Sequence, residues 1–261
     1  MVKVISVVCQ KGGVGKTTTA VHLGIGLARL GKKVLLIDAD SQASLTISLG
    51  FSDSRMFSVT TASVMNKIIT ETPIDINEGI LTHKEGVGLL PANSTLAAVE
   101  ISLANTDTLS REFILQEYIN QTGMGYDYII IDTQPSLGML TINALSAADS
   151  VIIPVQAEYL AAKGLEQLLF TISRVQKRIN KALKIGGILI TMVNERTNDT
   201  KEIITSIKGA YGSQIRIYGS IPRMVKVPEV SKHGISLYLS APNSKAALAY
   251  EAFTKEVLLG E

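Results

Sequence analysis

The chain of 261 residues has no tryptophan, one cysteine and no long apolar run. Its only aromatic side chains are 8 tyrosines and 5 phenylalanines, too sparse a supply of rings for modules that stack bases. The lone thiol, Cys9, cannot form an intrachain disulfide, which fits a reducing cytosol, and it cannot supply the several thiolates of an iron–sulfur cluster. No apolar stretch approaches the ~20 residues that a spanning helix needs. The first residues run straight into a strand-like pattern, so neither a membrane span nor a leader peptide is expected. Net charge is only +2, so no strong global field selects a partner. The charge is unevenly spread, however. Of the 25 Lys and Arg, 14 fall in residues 163–245, beside only 5 of the 23 Asp and Glu. One face of the fold is therefore expected to be basic.

What the chain does have is alternation. Apolar runs at 4–8, 34–37, 87–90, 128–131, 151–155, 185–193 and 215–218 are separated by helical patterns at 16–30, 95–122, 138–147, 159–181, 198–211 and 244–258. Near-continuous Val, Ile and Leu runs mark strands covered on both faces. The expected fold is α/β: a single doubly wound, mainly parallel β-sheet flanked by helices, in one domain spanning 1–261. Gly31, with Lys32 and Lys33 beside it, marks the end of the first helix. Residues 51–86 have weak periodicity and many Ser and Thr, and read as short helices and loops.

The first strand runs into Gln10-Lys11-Gly12-Gly13-Val14-Gly15-Lys16-Thr17-Thr18. This is a variant of Gly, four residues, Gly-Lys-[Ser/Thr], with Gln10 where the first glycine normally stands and an extra lysine at 11. Its glycines allow positive φ and close approach of the backbone to a ligand. Successive N–H groups and a helix N-terminus then make an anion nest. Lys16 is placed to reach the β- and γ-phosphates of a nucleotide, and the Thr17 hydroxyl to ligate Mg²⁺. Two further strands end in carboxylates: 34–37 in Asp38-Ala39-Asp40, and 128–131 in Asp132. Ligands of open parallel sheets bind at such strand ends.

These motifs together resemble the deviant Walker A ATPases, which include ParA and Soj partition proteins, MinD, the nitrogenase iron protein and arsenite-pump ATPases. The whole chain looks most like a short ParA or Soj protein, with 126–170 and 186–240 the most specific stretches. The resemblance implies ATP and Mg²⁺ as ligands of Lys11, Gly12, Gly13, Val14, Gly15, Lys16, Thr17 and Thr18. It implies that Lys11 crosses a homodimer interface to the partner's nucleotide. Asp40 would position or activate the attacking water, Asp38 would lie near the metal shell, and Asp132 would hold the metal through water. Met192, Asn194 and Pro222 would surround the adenine. Arg196, Lys226 and the neighbouring Arg223 would bind double-stranded DNA without sequence preference, placing the protein on the nucleoid in the cytoplasm. A ParB-like centromere-binding partner would stimulate hydrolysis.

The chain departs from that family at several positions. Ser41 and Gln134 stand where proline is common, Asn194 where Asp is frequent, and Lys226 where arginine is usual. With the strand pattern beginning at residue 4, an N-terminal helix-turn-helix domain is not expected. A MinD-like membrane regulator is the nearest competitor, but residues 246–261 carry one lysine against three glutamates, which repels anionic lipid. A positioning scaffold with little turnover is the second alternative.

Overall fold

The computed structural model describes residues 2–52, 57–105, 110–158, 161–194, 198–223 and 234–260. Eight strands form one sheet: β1 (Lys3–Val7), β2 (Val34–Ala39), β3 (Leu81–Thr82), β4 (Val87–Leu90), β5 (Tyr128–Thr133), β6 (Ser150–Gln156), β7 (Lys184–Val193) and β8 (Ile217–Pro222). Their order is β3-β4-β2-β5-β1-β6-β7-β8. Every pairing is parallel except β3 with β4.

The helices are α1 (Lys16–Arg29), α2 (Ser44–Ser48), α3 (Thr61–Ile69), α4 (Leu96–Asn105), α5 (Ile114–Thr122), α6 (Met139–Ala147), α7 (Ala161–Arg178), α8 (Asn198–Tyr211), α9 (Leu237–Ser240) and α10 (Lys245–Leu259). Side chains alternate across the sheet with a period of two. Ile129 and Ile131 of β5 face a core completed by α5, α6 and α7, whereas Ile130 faces a second core built with α1 and α10. Both layers exclude water, so the central strands are apolar up to their C-terminal ends except at Ser6, whose hydroxyl donates to the Ala144 carbonyl at 2.8 Å. α1 packs closely against β2 on one side and against α9 and α10 on another, leaving room only for glycine at two positions. A Cβ on Gly24 would come within 2.5 Å of Leu36 Cδ2, and one on Gly26 within 2.6 Å of Thr254 Oγ1. α1 stops at Gly31 (φ 81°), where Lys32 N–H reaches back to the Leu27 carbonyl at 3.1 Å.

Three expectations need correction. The run 95–122 is two helices, α4 and α5. The last strand is Ile217–Pro222, because Ile215 N–H still bonds the Tyr211 carbonyl at 2.8 Å and completes the turn after α8. Residues 51–86 contain more order than their composition suggested. α3 is fixed by a capping box between Thr60 and Ser63, and β3 adds an antiparallel edge.

Candidate nucleotide site

Parallel register brings the three motif-bearing strands together. Val7 at the end of β1 pairs with Asp132 of β5, and Asp132 pairs with Asp38 of β2. The loop after β1 therefore lies above two carboxylates on neighbouring strands. Gly13 (φ 72°) and Gly15 (φ 85°) adopt the left-handed conformation that turns the chain into α1. A Cβ on Gly12 or Gly13 would meet nothing within 4 Å, so the space beside the loop is open. The Thr191 hydroxyl ties the loop to β7 by donating to the Val14 carbonyl at 2.8 Å.

Inside this loop Lys16 is buried and its Nζ donates to the Lys11 carbonyl at 3.2 Å. Burial lowers its pKa, opposed by the negative groups around it, Asp132 and Asp40 among them. The Thr17 hydroxyl donates to Asp132 Oδ2 at 2.7 Å, and Asp132 Oδ1 is buried without a hydrogen-bond partner. Burial, then repulsion from Asp38, pushes the Asp132 carboxyl well above its usual range. An orphaned oxygen, a hydroxyl and a disfavoured buried charge are the conditions a divalent cation relieves. Among the described residues no cluster of three or more His, Cys, Asp or Glu could hold a metal without such hydroxyl or phosphate oxygens.

Asp38 is placed differently from Asp132. Its Oδ2 accepts from Thr46 N–H (2.8 Å) and the Thr46 hydroxyl (2.7 Å), and its Oδ1 from Asp40 N–H (3.2 Å). Burial pushes its pKa up to about 6 despite these bonds. Asp40 stands at the cleft edge, with Oδ1 held by Gln42 N–H at 2.9 Å. The cleft itself has a volume of about 430 Å³ and is lined by Gly12, Lys16, Thr17, Asp40, Pro135 and Met192, among others. A roomier cavity of about 550 Å³, lined by Ile68, Leu103, Phe113 and Ile114, shares no residue with it.

Lys11 is not among the residues lining the cleft; it is 44% exposed, in an ion pair with Glu158, itself 49% exposed. Met192 (φ 53°) borders the cleft from the end of β7. Asn194 is exposed just beyond it, and Pro222 pairs with Val193 on the adjoining strand. Arg223 is exposed next to Pro222. Arg196 and Lys226 lie outside the described residues. Thr46, Gln42 and Thr191, which hold the site residues in place, carry no local motif that would have announced them.

The fold and the loop define a phosphate-loop nucleotide-binding protein with a second lysine at the loop's start. A family model described as an AAA domain matches residues 2–185. The chain is 43% identical over 259 residues to the sporulation initiation inhibitor protein Soj of Bacillus subtilis, covering 98% of each. It is 37% identical over 257 residues to the chromosome-partitioning ATPase Soj of Thermus thermophilus, covering 98% of this chain and 96% of that one. Its structure superposes with a TM-score of 0.84 on cobyrinic acid a,c-diamide synthase from Mycobacterium smegmatis with bound ATP analogue and magnesium, at 35% identity over 99% and 95% of the two chains. The chain belongs to the ParA/Soj family of chromosome-partitioning ATPases.

Proposed function

We propose that this chain is a single-domain ATPase of DNA segregation, cycling between an ATP-bound dimer that holds DNA and an ADP-bound monomer that releases it. The observation that carries this reading is the contrasting placement of two lysines on one loop. Lys16 is buried and lines the cleft, while Lys11 is 44% exposed and does not line it, which leaves its ammonium accessible to a second molecule.

Backbone N–H groups of residues 12–18 and the Lys16 ammonium would hold the triphosphate. Thr17, and Asp132 through water, would hold Mg²⁺. The ion, when bound, supplies charge neutralisation at the β- and γ-phosphates. Asp40, oriented by Gln42, would position the attacking water. Met192, Asn194 and Pro222 would flank the base. Lys11 would leave Glu158 for the partner's nucleotide, which costs little because an exposed ion pair contributes only about 0–1 kcal/mol. Closure would align the basic faces, with Arg223, Arg196 and Lys226 contacting phosphates of double-stranded DNA. A ParB-like partner would accelerate hydrolysis, and the protein would reside on the nucleoid.

The membrane-regulator reading gains no support. Among the described residues no helix is long and apolar enough to cross a membrane, and α10 buries Tyr250, Phe253 and Val257 against its own domain.

The test measures molecular mass and duplex-DNA binding with Mg-ATP and with Mg-ADP, for wild type and Lys11→Ala. The expected result is a salt-sensitive, ATP-dependent dimer on DNA that the variant fails to form. A wild-type chain that stays monomeric at saturating Mg-ATP, with Lys11→Ala hydrolysing equally fast, would refute the reading.

A further inference from the structure

Gln134 stands two residues beyond Asp132, where the family resemblance leads one to expect proline, and it is only 8% exposed. Its side-chain amide does what a proline ring cannot. It donates to both Glu100 carboxylate oxygens, at 2.8 and 2.7 Å, and to Ser136 Oγ at 2.8 Å. An amide NH₂ carries two protons, so three acceptors share them and the group is fully engaged. Ser136 Oγ also accepts from Gly138 N–H at 3.3 Å, and the Ser136 carbonyl accepts from the Thr141 hydroxyl at 2.8 Å. The loop 134–138 is thus fastened to α4 on one side and to the first turn of α6 on the other.

Glu100 is itself closely seated. A Cβ on Gly138 would lie 2.1 Å from Glu100 Oε1, so a larger residue there would push the carboxylate from this position. Gly138 begins α6, which has no side-chain cap, and a negative charge is favoured at that end of a helix. Pro135, next to Gln134, borders both the nucleotide cleft and a second open cavity of about 470 Å³. Asp40 and Gln42 border both spaces as well, while Glu100, Gln134 and Ser136 line the second.

We propose that Gln134 is a positioning residue for hydrolysis. By holding Glu100 and Ser136 it fixes Pro135 and its loop opposite Asp40, and so sets the geometry of the water side of the γ-phosphate. This inference rests on the reading of Asp40 as the water-orienting group. Displacing such a wall by an ångström is enough to lower a rate roughly tenfold or more without loosening nucleotide contacts elsewhere.

The experiment measures kcat, KM for Mg-ATP, ADP affinity and melting temperature of the full chain. The variants are Gln134→Leu, Glu100→Ala, their combination, Glu100→Gln and Asp40→Ala. Each of the first two is expected to lower kcat about tenfold with KM and ADP affinity within about twofold. The double variant is expected to be no worse than either single one, because both break the same contact. Glu100→Gln retains an acceptor oxygen for the amide and should recover most of the rate. Unchanged kcat in both single variants overturns the proposal. So does an additive loss in the double variant, or a loss that tracks ADP affinity or melting temperature. Asp40→Ala turning over at the wild-type rate would overturn the underlying reading of Asp40 and this proposal with it, a pattern distinct from failure of the clasp alone.

Discussion

Acidification should weaken this fold through one buried ring. His22, on α1, is neutral by arrangement. Its Nδ1–H donates to the Thr18 carbonyl at 2.7 Å, and its Nε2 accepts from Leu237 N–H at 3.0 Å. The ring stacks on Tyr250 with centroids 4.6 Å apart and meets Tyr238 edge-on at 5.5 Å. A second ring proton would have to replace the lone pair that Leu237 uses. Burial lowers the pKa from 6.5 to about 4, outweighing the Thr18 carbonyl and the nearby Glu85, which both favour the cation. Arg29, over the Tyr238 ring, is the other charged group close by. Between those two pKa values the unfolded chain binds a proton that the folded chain refuses. Stability is therefore intact above pH 6.5 and falls as pH drops toward 4. At pH 4.5 the loss is two pH units at about 1.4 kcal/mol each, or about 3 kcal/mol, against a total of about 5–15 kcal/mol for a typical domain. Urea unfolding at pH 7.5 and 4.5, on wild type and His22→Gln, isolates this contribution. Asp38 acts with the opposite sign, since its raised pKa makes the folded chain retain a proton below about 6, but it is common to both chains and cancels. Wild type should lose about 3 kcal/mol more than the variant over that interval. Parallel losses in the two chains, or a native His22 resonance titrating near 6.5, would refute the reasoning.

Two glycines of similar sequence character should behave oppositely. Gly26→Ala drives a methyl to within 2.6 Å of Thr254 Oγ1 and 2.9 Å of Tyr238 Oη, and should cost about 1–3 kcal/mol in denaturant unfolding. Gly12→Ala meets no atom and should melt like wild type, yet its methyl occupies the phosphate cradle, so ATP affinity measured by calorimetry should drop. Asp132→Asn should abolish most of the strengthening of ATP binding by Mg²⁺, while melting in the absence of Mg²⁺ rises or holds, because a buried charge facing Asp38 is removed.

The central strands were legible because burial on both faces forces unbroken Val, Ile and Leu, and their ends showed where chemistry could begin. β8 starts two residues later and ends four residues later than the run 215–218, because it is an edge strand whose Gly219 and Ser220 face water and interrupt the apolar pattern. α3 is one of the short helices expected in 51–86, but its start was not legible because its capping box closes through Ser63 rather than a Glu or Gln, and the boundary between α4 and α5 was hidden by apolar residues on both sides. In the site, the loop and its acidic partners follow local patterns. Glu158 beside Lys11, Glu100 beside Gln134 and Thr191 beside Val14 are brought together from 147, 34 and 177 residues away. Contacts of that kind depend on topology, which no short window of residues records.

Asp38 and Asp132 occupy the same rung of adjacent parallel strands. Main-chain ladders on either side keep that spacing rigid, so the two acids cannot drift apart to ease their quarrel. Relief has to arrive from outside, as positive charge. Surrounding loops are thereby released from the task of building a cation trap, and can diverge toward new partners while the trap persists in the backbone of the sheet.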